Sequence, residues 1–310
     1  DAYARSTPTN VSRNVFSPKR YFSPTPSDFP MQTTMVSIGD TSLAVQICGS
    51  GQPLVLLHAF PLDHTMWHRI IPLADHLQLI IPDQRGFGQS TDSHSKSKPL
   101  SSISQLADDV SKLLEALHIE QPAVIAGISM GGYVAQHVAA RHPEKVSHLI
   151  LVDTKFSADT PEARAGRSNL AATVGRVGQK VLADAMVPNL LAATDKARSK
   201  PERVENEKFL RRLIGKQSVA TIQAALGALA DRPDMSAPMQ QFEKPVLLVC
   251  GEEDTITPPA VMESMEKILP QGQLVIVPEA GHLVPLEAPT VFHEAVLSFL
   301  GHLKNTGERS

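Results

Sequence analysis

The sequence predicts an α/β domain with a mostly parallel central β-sheet flanked by helices and a helical cap inserted between its late strands. Three observations carry this. Short runs that are apolar on both faces recur at residues 54–58, 77–81, 123–126, 148–152, 246–250 and 274–277, the character of strands covered by helices on both sides. Between them the apolar residues take helical spacing, at Ile103, Leu106, Ala107, Val110, Leu113, Leu114 and Leu117, and again at Val291, Phe292, Ala295, Val296, Phe299 and Leu300. From about residue 155 to 241 no strand pattern occurs, and the periodicity is helical over 161–177, 179–186, 201–214 and 218–230. Alternation of β and α implies a parallel sheet; the strandless stretch between two of its strands implies a cap.

In chain order, residues 1–30 are dominated by Ser, Thr and Pro, and Arg5, Arg13, Lys19 and Arg20 outnumber Asp1 and Asp28. Such a segment cannot bury enough apolar surface to offset its ordering entropy, so a disordered N-terminal extension is expected. Its Ser-rich, acid-poor composition also suits a targeting peptide, although it contains no amphipathic Arg-rich helix. Met31 then opens the ordered domain. Residues 33–38 and 43–48 form a hairpin through Gly39-Asp40, and the polar stretch 90–102 is a loop. The core comprises 31–154 and 242–304, the cap 155–241, and 305–310 a flexible tail.

At 310 residues and 42% hydrophobic, the chain suits one large domain carrying an insertion. Lys and Arg number 29 against 32 Asp and Glu, a formal charge of −3, which gives no electrostatic case for nucleic acid as a partner. No apolar run approaches the roughly 18 residues of a membrane span. A small molecule is the expected partner. Cys48 and Cys250 are too few for a disulfide scaffold and too far apart for a zinc motif; both read as buried free thiols, which favours a reducing, cytoplasmic location. His64 and His68 stand four apart, a spacing that can hold a metal on one helix face, but no third ligand accompanies them. They read as a partly exposed face, with no metal and no cofactor expected.

The chemistry concentrates at Gly127-Ile128-Ser129-Met130-Gly131, between the strand at 123–126 and a helical stretch. A Ser on a sharp strand-to-helix turn needs neighbours without bulk, and G-x-S-x-G supplies them while holding the hydroxyl out at the sheet's carboxyl edge. Such a hydroxyl needs a base, and the base needs a group to fix its tautomer. His282 directly follows the last strand, and Asp254 directly follows the one before it. Asp153, Glu252 and Glu253 are rivals for the acid. The order Ser, Asp, His, each at a strand end, belongs to one fold among those that use this triad.

From about residue 31 to 303 the chain resembles the α/β-hydrolase fold superfamily. The resemblance rests on Leu56-Leu57-His58-Ala59-Phe60-Pro61, Asp83-Gln84-Arg85-Gly86-Phe87-Gly88-Gln89-Ser90, the G-x-S-x-G segment, Gly251 to Asp254, and Gly281-His282. Phe60-Pro61-Leu62-Asp63, Met66-Trp67 and Arg232-Pro233-Asp234 are similar to the branch of 3-oxoadipate enol-lactonase-like esterases. The resemblance implies a cofactor-independent hydrolase of carboxylic esters or lactones working through an acyl-enzyme on Ser129. It also implies an oxyanion hole from the backbone N–H groups of Phe60 and Met130. Where the family has His-Gly, this chain has His58-Ala59. His58, Asp83 and Arg85 read as residues that orient their loops. Alternatives on the same fold are a perhydrolase, a C–C bond hydrolase and a ligand-binding receptor. Met130, Phe156, Met186, Leu190, Leu191 and Phe209 are candidates to line a pocket. Arg164, Arg167, Arg176, Arg211 and Arg212 are candidate cations for a substrate carboxylate.

Overall fold

The computed structural model describes residues 33–90, 98–199 and 201–302. The expected extension at 1–30, with its targeting reading, the tail at 305–310 and most of the polar loop fall outside them. The hairpin forms from β1 (Thr33–Ser37) and β2 (Ser42–Cys48), antiparallel with Ser37 opposite Ser42. Then come β3 (Pro53–Leu57), β4 (Gln78–Pro82), β5 (Ala123–Ile128), β6 (Val146–Val152), β7 (Val246–Gly251) and β8 (Gly272–Val277). They build one sheet in the order β1-β2-β4-β3-β5-β6-β7-β8, parallel from β4 onward. Every residue of β3, β5 and β7 is buried, as two-sided helical cover requires.

Strand order sets where a site can lie. The chain steps from β3 outward to β4, then crosses back through α1 (Ile103–Ala116) to β5 on the other side of β3. The loops leaving the carboxyl ends of β3 and β5 thus diverge, which makes this the switch point at which open α/β sheets generally bind ligands. Helix α2 (Met130–Arg141) follows β5 directly.

Between β6 and β7 come α3 (Pro161–Val177), α4 (Lys180–Leu190), α5 (Asp195–Arg198), α6 (Pro201–Lys216), α7 (Val219–Ala230) and α8 (Ser236–Gln240). Helix α3 lies along α7, and α4 along α6. Only Val174 of α3 is buried, so this helix is held by one edge. Gln217, between α6 and α7, ties the group to the core. Its Oε1 accepts from Gly88 N at 3.0 Å, and its Nε2 donates to Asp63 at 3.3 Å. Short α9 (Pro259–Glu266) follows β7, and α10 (Val284–Glu287) and α11 (Pro289–Phe299) close the chain.

The loop after β4 is pinned by Arg85, which is 1% exposed. Its guanidinium donates twice to Asp109 of α1, at 2.7 and 2.6 Å, and also to Asp40 and to Lys98 O, each at 2.9 Å. Losing it would strand the buried Asp109 carboxylate, a penalty of about 3–5 kcal/mol. Cys48 and Cys250 are both buried and unpaired with each other. Among the described residues no helix is long and apolar enough to cross a membrane.

Candidate active site

Ser129 sits between the last residue of β5 and the first of α2 with φ 52° and ψ −112°. Positive φ is strained for a residue with a Cβ, and the turn is held by bonds to its backbone. Ser129 N donates to Val152 O at 3.0 Å, and Ser129 O accepts from Thr154 Oγ1 at 3.0 Å and Tyr133 N at 3.2 Å. The flanking glycines have a measurable reason. A Cβ on Gly127 would lie 2.0 Å from Gly131 O, and one on Gly131 would lie 2.1 Å from Leu57 O, so strand, turn and helix pass too close for any side chain. Ser129 is half-buried and its side chain does not cap α2, so the hydroxyl is not consumed by the helix it precedes.

His282 and Asp254 are brought together. The Nδ1–H of His282 donates to Asp254 Oδ2 at 2.8 Å, with the two residues 2% and 3% exposed. Asp254 is clamped in turn: Oδ1 accepts from Ile256 N at 2.8 Å and Thr257 N at 3.1 Å, and Oδ2 from Thr257 Oγ1 at 2.6 Å. Burial would raise this carboxyl, but the bonds from His282 and Thr257 hold it below the ordinary aspartate value. The rival acids are engaged elsewhere. Asp153 accepts from Gly251 N at 2.9 Å and Val284 N at 3.3 Å, Glu253 grips Ala193 and Thr194, and Glu252 is exposed.

The candidate oxyanion donors follow the carboxyl ends of two paired strands, β3 and β5. Met130 N belongs to the first residue of α2, where amides have no intrahelical acceptor. Phe60 lies in the turn after β3, closed by Leu62 N donating to Ala59 O at 2.9 Å. Ala59 is not among the residues with positive φ, so alanine in place of glycine costs this loop nothing. His58 holds the loop from beneath: Nδ1–H donates to Ala59 O at 3.0 Å, and Nε2 accepts from Gln84 N at 3.0 Å. Burial lowers its pKa, keeping it neutral and occupied.

The reading of His64 and His68 as one partly exposed face needs correction. His68 is exposed, but His64 is only 7% exposed. The segment His64–Asp75 runs in 3-10 turns, in which residues three apart align, so four apart they diverge. Backbone N and Nδ1 of His64 both donate to Asp83 Oδ1, each at 2.7 Å. Burial alone would lower His64, but Asp83 raises it above the ordinary histidine value; burial alone would raise Asp83, but His64 holds it below the ordinary aspartate value. The His64 contribution to stability is therefore full below its unfolded value of about 6.5 and is lost as pH rises through the raised folded value. The Asp83 contribution is present above about 3.9 and is lost as pH falls through its lowered folded value. In urea denaturation, the gap between wild type and His64→Gln should be wider below the unfolded histidine value of about 6.5 than at alkaline pH. A gap of constant size would contradict the pairing.

The family model of the alpha/beta hydrolase fold matches residues 52–289. The chain belongs to the alpha/beta hydrolase fold family. A thermophilic esterase from Thermogutta terrifontis superposes with a TM-score of 0.80 at 34% identity, over 87% of this chain and 98% of that one. Pimeloyl-[acyl-carrier protein] methyl ester esterase of Vibrio vulnificus is 28% identical over 84% of this chain and 99% of that protein. An enol-lactonase from Burkholderia xenovorans LB400 shares the fold with a TM-score of 0.77 at 24% identity, over 86% and 100% of the two chains.

In this alpha/beta hydrolase the arginines of the α3–α7 region are committed or exposed. Arg164 pairs with Asp231, Arg167 with Asp159 and Arg211 with Asp184, Arg212 lies 5.5 Å from the Phe209 ring centroid, and Arg176 is exposed. Of the candidate lining residues, Met130, Phe156, Leu190 and Leu191 are buried, while Met186 and Phe209 are half-buried. The sequence reading missed Thr257. Its hydroxyl donates to Asp254 Oδ2, a contact that no motif in the sequence announces.

Proposed function

We propose that this protein is a serine hydrolase of uncharged carboxylic esters or lactones, with Ser129 as nucleophile, His282 as general base and Asp254 as its orienting acid. The observation that carries the reading is the buried Asp254–His282 hydrogen bond at the sheet edge that also presents Ser129 on its strained turn. With Nδ1–H given to Asp254, the Nε2 lone pair is the one left to take a proton.

In the first half-reaction Ser129 Oγ attacks the carbonyl carbon and its proton passes to His282 Nε2. The amides of Met130 and Phe60 donate to the oxyanion, an effect worth ~10²–10³ in turnover per donor in comparable sites. The C–O bond breaks, the leaving alkoxide takes the proton from His282, and the acyl group stays on Ser129. Water then attacks the ester carbonyl, gives its proton to His282, and Ser129 leaves with that proton restored. No redox partner enters these steps. The esterase names of the relatives support the same bond class. The pairing of Arg164, Arg167 and Arg211 with Asp231, Asp159 and Asp184 supports substrates without a carboxylate over an acidic enol-lactone.

A panel of p-nitrophenyl esters of graded acyl length, run beside neutral and carboxylate-bearing lactones, tests the reading. Turnover of neutral members is expected, with stoichiometric inactivation by diisopropyl fluorophosphate. Hydrolysis confined to acidic lactones would overturn the substrate assignment, and hydrolysis of none would overturn the whole.

A further inference from the structure

The segment 191–194, which leaves α4 and enters α5, is seized by side chains that neighbour the proposed acid and base. Glu253, next to Asp254, accepts from Ala193 N at 2.9 Å, Thr194 N at 3.0 Å and Thr194 Oγ1 at 2.9 Å. Glu287 of α10 accepts from Ala192 N on Oε2 at 2.7 Å and from Gly281 N, next to His282, on Oε1 at 2.9 Å. Three successive amides of the cap thus meet two carboxylates, one from the loop that carries Asp254 and one from α10, which follows the loop of His282. The loops also touch: a Cβ on Gly281 would lie 2.4 Å from Ala192 N. On the far side Arg203 of α6 donates to Ala192 O, and Lys196 of α5 pairs with Glu279, just before Gly281.

Glu287 is the member that joins cap and base with one side chain. We propose that Glu287 is a positioning residue for His282: by bridging the Gly281 and Ala192 amides it locks the base's loop to the root of α4, so that the imidazole's placement follows the seating of the cap. The proposal rests on His282 being the general base. A neutral side chain has one amide oxygen and cannot accept on both atoms, whereas a carboxylate can. The charge is held against resistance, since burial pushes Glu287 up to about 7 even with the Ala192 and Gly281 amides and the Arg203 guanidinium in its favour. Glu287 in turn adds to the burial that pushes the Asp153 carboxyl well above the ordinary aspartate value. A side chain kept for stability alone has cheaper alternatives at such a position.

The test compares the full chain with Glu287→Gln and Glu287→Ala, by amide hydrogen exchange and by p-nitrophenyl butyrate kinetics referred to sites titrated with diisopropyl fluorophosphate. In Glu287→Ala the Gly281 and Ala192 amides should exchange roughly 10-fold faster or more. Turnover per titrated site should fall about 10-fold or more with KM changed by less than about 3-fold, since displacing a catalytic group by an ångström costs up to ~10² in rate. Glu287→Gln, with one accepting oxygen, should fall between. Faster exchange with undiminished turnover per site would overturn the proposal. So would a deficit that vanishes once only titratable enzyme is counted, the signature of a merely structural role. Wild-type protein that neither hydrolyses the ester nor titrates would sink the triad reading instead, and the positioning role with it, while the exchange data would still report the bridge.

Discussion

Ser129→Ala should lower turnover of p-nitrophenyl butyrate by about 10⁶, the scale on which loss of a triad nucleophile acts, because the remaining groups have nothing to activate. The fold should survive it. The bonds that hold the turn run to Ser129's backbone from Thr154 and Tyr133 and from its own amide to Val152, and alanine keeps all three. The side chain contributes no cap to α2. Circular dichroism and thermal melting should therefore match wild type, and Ser129→Ala protein that still turns over the ester would remove the assignment at its root.

Asp254→Asn should cost about 10⁴ in turnover with KM nearly unchanged. An asparagine oxygen can still accept from Ile256 N and Thr257 N, so the loop stays formed. The amide nitrogen then faces His282 Nδ1, where only an acceptor fixes the productive tautomer. The control is Asp153→Asn. Asp153 lies close enough to Asp254 that a carboxyl oxygen of each and the Cys250 sulfur are all within 4.8 Å of one another, yet it is bonded to Gly251 N and Val284 N rather than to the imidazole. Burial pushes Asp153 well above the ordinary aspartate value. Kinetics of the two variants side by side decide the matter: the larger loss in Asp153→Asn would transfer the orienting role to that residue.

What could be read from the chain and what could not divide along a physical line. Two-sided apolar runs and the spacing of Gly127, Ser129 and Gly131 are local properties, so β3, β5, β7 and the turn after β5 were legible. Helices α5 and α8, with four and five residues, are too short to display a period. His64 and His68 misled because a four-residue spacing presumes an α-helix, whereas the chain there winds in 3-10 turns. The grip of Glu253 and Glu287 on residues 192–194 joins positions 59 to 95 apart, and contacts of that range leave no periodic trace. Nor does composition reveal that Arg164, Arg167 and Arg211 pair with Asp231, Asp159 and Asp184.

The hold on residues 192–194 is made mainly through main-chain N–H groups, which every amino acid except proline provides. Substitutions at Ala192, Ala193 and Thr194 other than to proline therefore keep the amides that Glu253 and Glu287 accept from. Variation in those three side chains is thus uncoupled from the anchoring of the segment, whereas Glu253 and Glu287 have no such freedom.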